Sequence, residues 1–114
     1  MLWRTLQRWW WRHRHGYDAA MSATPITVTH RPEAHTFEAI VDGHRCVADY
    51  RIDGPIMHMH HTAVHPALEG RGIAAQLVQT ALRWAREQGL RVNPSCSYVR
   101  VYMQRHPEWQ DLRA

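Results

Sequence analysis

The chain has 114 residues, a length expected to make one domain and not two. Its 45% hydrophobic content is ordinary for a globular protein, and no apolar run is long enough for a membrane-spanning helix. The formal charge of +4 rests on 14 basic residues, all arginine, a codon-level trait expected of a GC-rich, bacterial genome. The two cysteines, Cys46 and Cys96, make neither a disulfide framework nor a four-ligand zinc set, so a reducing, cytoplasmic setting is expected.

Residues 1–20 differ from everything after them. Trp3, Trp9, Trp10 and Trp11 are interleaved with Arg4, Arg8, Arg12 and Arg14, without the uninterrupted apolar core of a secretory signal. Two readings stay open. The segment is either a basic aromatic stretch that lies on an anionic membrane surface or nucleic acid, or upstream sequence read in frame ahead of a start at Met21. The second is preferred; if the segment is made, it is expected to be disordered or a loosely attached helix. Residues 21–114 read as one domain.

Ile26–His30 alternates apolar and polar, a short strand, and Arg31–Ala34 is a turn set by Pro32. His35–Val41 alternates again, with Phe37, Ala39 and Val41 on one face. Asp42-Gly43 is a hairpin turn, His44–Ile52 the returning strand, and Asp53-Gly54-Pro55 a second turn. Ile56–Val64 is a fourth strand, on which His58 and His60 share one face and His61 takes the other. Strands this closely spaced predict an antiparallel meander.

Next comes Leu68-Glu69-Gly70-Arg71-Gly72-Ile73-Ala74-Ala75, two glycines and an arginine where a strand passes into a helix. Such a turn is either a tight strand-to-helix connection or an anion site. In the second case, glycine backbone and the unpaired N–H groups of the first helical turn face a phosphate, and Arg71 adds charge. The helix is expected over Gly72–Gln88. Ile73, Ala74, Leu77, Val78, Ala81, Leu82, Trp84 and Ala85 fall in one half of its wheel, and Gly89 is its C-terminal cap. Leu90–Asn93 is a short strand that Pro94 interrupts. Ser95-Cys96-Ser97 precedes a second helix over Tyr98–Arg105, and Pro107 opens a last turn through Leu112. The order β-β-β-β-α-β-α predicts an α+β fold: a mixed, mostly antiparallel five-stranded sheet whose last two strands are parallel.

In this order and with these motifs the chain resembles the GNAT superfamily of acetyl-CoA-dependent N-acetyltransferases, and within it a small, minimal branch. The superfamily motif Gln/Arg-x-x-Gly-x-Gly/Ala is matched at Glu69-Gly70-Arg71-Gly72-Ile73-Ala74, with Glu69 acidic where Gln or Arg is usual. The branch is matched at His61–Pro66, Gly70–Ala74, Pro94–Tyr98 and His106–Leu112, so the resemblance spans residues 26–112. It implies acetyl-CoA as co-substrate, lying where the fourth and fifth strands part. Backbone at Ala63 and Val64 would pair with the pantetheine amides. The N–H groups of Gly70, Gly72, Ile73, Ala74 and Ala75, with Arg71, would hold the diphosphate. Direct attack by an amine is implied, with a backbone N–H near Val64 on the oxyanion. Larger relatives build much of the acceptor site from two helices for which only Arg31–Ala34 stands here. The acceptor side is therefore expected to be open, or completed by another molecule such as a second copy of the chain.

Cys96 and Tyr98 are the candidate catalytic side chains. Cys96 precedes a helix N-terminus, where the dipole favours a thiolate, and can protonate the leaving sulfur, activate the amine or carry the acetyl group. The bland alternative is a packed small hydrophobe. Tyr98 is the alternative acid or a core aromatic; Cys46, in mid-strand, reads as buried. His58-x-His60 makes a metal site the rival reading, with no third carboxylate ligand evident and no metal expected. Other readings are a CoA-binding module with little turnover and a nucleic-acid-binding domain using Arg4–Arg14. Without that segment, neither nucleic acid nor membrane is expected as a partner.

Overall fold

A computed structural model describes residues 24–114. The tryptophan- and arginine-rich segment and the Met21 start lie outside the described residues. Five strands form one sheet in sequential order: β1 (Thr29–Arg31), β2 (Thr36–Val41), β3 (His44–Asp53), β4 (Ile56–Ala63) and β5 (Arg91–Pro94). The first four pair antiparallel, and β5 runs parallel to β4 after the crossover through helix α1 (Ile73–Glu87). Helix α2 (Ser97–Arg105) follows β5, and short 3-10 turns occupy Pro32–Ala34, Pro66–Leu68 and Pro107–Leu112. The α+β class, the mixed sheet and the parallel last pair agree with the expectation from sequence.

The apolar stripe of α1 explains its place. Ile73, Leu77, Val78, Ala81, Leu82 and Ala85 are buried, and they pack on the sheet face that carries Phe37, Ala39, Cys46, Ala48, Tyr50, Met57 and Met59. Trp84 closes the far end against Phe37 and Tyr50, with ring centroids 5.9 and 5.7 Å away. His30 joins this cluster, stacked at 4.1 Å on Phe37 and bonded through Nε2 to the Tyr50 hydroxyl at 2.6 Å. Gly89 ends the helix as predicted, at φ 70°. Its N–H and that of Leu90 donate to the Arg86 and Ala85 carbonyls, the paired bonds of a Schellman cap.

Several boundaries shift by a residue or more from the sequence reading, and three of the shifts have a clear physical cause. The first strand runs Thr29–Arg31 rather than Ile26–His30, and residues 24–28 are not in the sheet: the Gln76 side chain accepts from the Ile26 N–H at 3.0 Å and donates to the Thr24 carbonyl at 2.9 Å, so a helix amide takes the place of a ladder. His35 lies in the left-handed region at φ 51°, closing the 3-10 turn, and β2 begins one residue later. Pro94 does not interrupt β5 but is its last residue, in register with Met59; a strand end on this outer strand needs no ladder donor there.

The alternation along β4 also differs. Tyr50 opposes Met59, yet Asp49 opposes His61, so His60 is one extra residue, a β-bulge. Ala48 and Tyr50 point to the helix-bearing face, which places Thr62 and Met59 there too. His60 and His61 therefore both join His58 on the other, helix-free face. The separation of His61 from His58 and His60 expected from a regular strand is corrected by this bulge.

Candidate active site

β4 is paired on both sides only as far as Met59. Its partner β5 stops at Pro94, and the Cys96 N–H makes a last bond to the Met59 carbonyl at 2.9 Å. Beyond that point β4 continues to Ala63 with β3 alone beside it, and its backbone groups on the β5 side face a gap. A strand edge of this kind can pair with an extended ligand.

The gap leads to a cavity of about 570 Å³ lined by Thr62, Ala63, Val64, Leu68, Glu69, Gly70, Gly72, Ile73, Ala74 and Tyr98. Gly70 and Gly72 sit at φ 81° and 74°, conformations that side chains rarely adopt, so both glycines are required by the bend itself. A side chain at Gly70 would meet open space. Gly72 caps α1, and the N–H groups of Ile73, Ala74 and Ala75 precede the first helical bond, which Gln76 makes to the Gly72 carbonyl. The positive end of a 15-residue helix thus opens beside the cavity, without an acidic residue in its first turn.

Of the residues singled out from sequence for the co-substrate, Ala63, Val64, Gly70, Gly72, Ile73 and Ala74 line this cavity. Ala75 lines the adjoining one, about 460 Å³ between α1 and α2, which shares Gly72 and Tyr98 with the first. Arg71 stands apart: its Nη1 lies 2.7 Å from the Asp42 carboxylate in the β2–β3 turn. Both partners are solvated, so exchanging that carboxylate for another anion costs little.

Cys96 is the N-cap residue of α2, half-buried, with its Sγ 3.7 Å from the Thr62 hydroxyl. Thr62 joins Cys96 to the cavity wall, a role that strand alternation with no bulge conceals. Ser95 fastens the same corner, its hydroxyl donating to the Met59 carbonyl at 3.2 Å. Burial, and secondarily the neighbouring Cys96, push the Tyr98 phenol above its ordinary value and keep it protonated at neutral pH. Cys46 is fully buried, as expected. For metal binding, His58 holds Asn93 through Nδ1 at 2.9 Å, and its Nε2 is buried without a partner among the described residues. No group of three or more His, Cys, Asp or Glu among the described residues could hold an ion.

A mixed sheet that splits beside a glycine-bent helix N-terminus defines the acyl-CoA acyltransferase type of fold. Comparison with known proteins agrees. Residues 36–112 match the family model for the GCN5-related N-acetyl-transferase, and the chain belongs to that family. It is 34% identical over 86 residues to Protein NATD1 of Mus musculus, covering 73% of this chain and 78% of that one. Protein NATD1 of Homo sapiens is 34% identical over 86 residues, covering 73% and 76%. The solution structure of a GCN5-like protein from Staphylococcus aureus superposes with a TM-score of 0.64 at 23% identity, over 78% of this chain and 88% of that one, which shows the shared fold. These curated relatives are animal proteins and lend no support to the bacterial source expected from arginine usage.

Proposed function

We propose that this protein transfers the acetyl group of acetyl-CoA to an amine. The observation that carries the reading is the parting of β4 and β5 beyond Met59, directly beside a cavity that ends on the free N–H groups of α1. The residues fit the co-substrate. Unpaired backbone along Thr62–Val64 suits the two pantetheine amides. The N–H groups of Gly70 and Gly72–Ala75 suit a diphosphate, and Arg71 reaches the same anion on release from Asp42. Glu69, on the cavity wall, puts an acid where the family motif carries Gln or Arg.

The chemistry asked of the side chains is modest. The ammonium loses a proton, its nitrogen forms the C–N bond to the acetyl carbonyl, and the C–S bond breaks. The amide forms with loss of a second proton as the departing thiolate takes one up, so one proton is released in all. In this reading the proton for sulfur comes from the Cys96 thiol, 3.7 Å from the cavity-lining Thr62 hydroxyl, with Tyr98 as the second donor on the cavity wall. The bulge at His60 leaves a backbone residue outside the regular ladder at the same level, which supports an oxyanion donor there rather than at Val64.

Thermal unfolding with CoA, acetyl-CoA and divalent metals tests the reading. CoA species should raise the melting temperature and metals should not. Arg71→Glu should remove that rise, and a rise kept in full would displace the diphosphate from this turn. Free-thiol release with an amine panel then separates transfer from mere binding. Cys96→Ala should slow release about 100-fold, within the range of general acid–base catalysis, while leaving the CoA-dependent rise intact. A rise in melting temperature with no thiol release for any amine would make the protein a CoA-binding module.

A further inference from the structure

A third cavity, about 510 Å³, opens on the helix-free face of the sheet, where Thr36, Arg45, Asp49, Arg51 and His60 line it. It lies where β3 outruns β2: Thr36 opposes Asp49, and past that point the Tyr50 N–H finds only the His35 carbonyl, at 3.0 Å. Its charges are unequal in kind. Arg45 is answered by Glu38, at 2.5 Å, and Glu38 in turn is held by Arg31 at 2.8 Å. Hydrogen bonds from Arg31, then Arg45, keep the Glu38 carboxylate below its ordinary range, so that carboxylate stays ionised and Arg45 stays neutralised. Asp49 and Arg51 remain, one anion and one cation outside the ion pairs made among the described residues.

Their order along β3 carries the argument. Asp49 opposes His61, at the level where β4 has already parted from β5; Arg51 opposes His58, where β4 and β5 are still paired. The two positions are about 7 Å apart along the strand, and His60 bulges from β4 between them. The group that attracts a cation is thus level with the gap, one strand away from it, and the group that attracts an anion lies farther back. From this juxtaposition we infer that the acceptor is a small zwitterionic amine, an amino acid or an amine carrying a carboxylate a few bonds away. Its ammonium lies toward Asp49 and the gap, and its carboxylate lies on Arg51. A forked guanidinium is the side chain suited to a carboxylate. The inference rests on the acetyl-transfer reading for what happens at the gap, but binding at this face is measurable without turnover.

The experiment is a binding titration, followed by nuclear magnetic resonance of labelled protein saturated with CoA. Each amino acid is compared with its decarboxylated amine: phenylalanine with phenethylamine, ornithine with putrescine, histidine with histamine. The tightest amino acid should bind at least about tenfold more tightly than its amine, as a charge-assisted carboxylate contact requires, and should shift resonances of Asp49, Arg51 and His60. Arg51→Gln should weaken that amino acid about tenfold and leave the amine unchanged. The same sample should keep its full CoA-dependent rise in melting temperature. Equal or tighter binding of the amines, an unchanged preference in Arg51→Gln, or binding only of longer peptides through their N-termini would overturn the inference. A clear amino-acid preference in a protein that releases no thiol would instead remove the transfer reading and leave this site standing.

Discussion

The two halves of β4 are one strand with opposite fates. Ile56–Met59 is flanked by β3 and β5, and its inward residues Met57 and Met59 are fully buried beneath α1. His60–Ala63 has β3 alone, begins with a bulge, and borders both the cavity at the glycine bend and the helix-free face. Completing the ladder makes the first half core. Withholding one partner leaves the second half as the candidate site, because unpaired backbone groups and an uncovered edge are what a ligand can use.

The largest expected effect lies in the paired half. Met57→Ala should cost about 2–5 kcal/mol in denaturant unfolding, because the thioether is fully buried in the core and its removal leaves a cavity there. Thr62→Ala, in the open half, should cost less than about 1 kcal/mol; equal losses would abolish the contrast between the two. Next is Gly70→Ala. A side chain there meets no atom within 4 Å, so the φ of 81° alone is tested, and about 1–2 kcal/mol should be lost. No loss would show that the bend tolerates an ordinary residue and that the glycine serves only the ligand.

The smallest effect concerns pH and the scaffold away from the gap. Burial beside Phe37 and Trp84 lowers the His30 pKa, only partly offset by Glu33. The fold therefore prefers the neutral ring. That contribution is complete above the ordinary histidine value of about 6.5, and it declines as pH falls below it toward the lower folded value. Stability measured across that window should fall less steeply in His30→Gln than in the parent. An identical slope in the two proteins would remove His30 from the cause.

Much of the scaffold was legible because it is local. The Asp42-Gly43 hairpin, with φ of 50° and 79°, the stripe from Ile73 to Ala85 and the Gly89 cap are each written within a few consecutive residues. Gly70 and Gly72 were legible for the same reason, since each backbone conformation demands glycine on the spot. The lining by Ala63, Val64 and Ile73 follows once those two elements are placed. The direction of His61 was not legible, because a bulge is a property of two paired strands and leaves no mark on the periodicity of one.

By itself, then, the amino-acid order determined the elements, their succession, the glycine bend and the family likeness, all of which rest on short-range sterics and periodic burial. Tertiary structure alone decided the working details. The Arg71–Asp42 pair joins residues 29 apart, the Thr62–Cys96 contact residues 34 apart, and the Gln76 clamp on Ile26 residues 50 apart. Contacts at such separations exist only once the sheet has set its register, and so does the gap beyond Met59: it depends on where β5 stops, not on anything β4 contains.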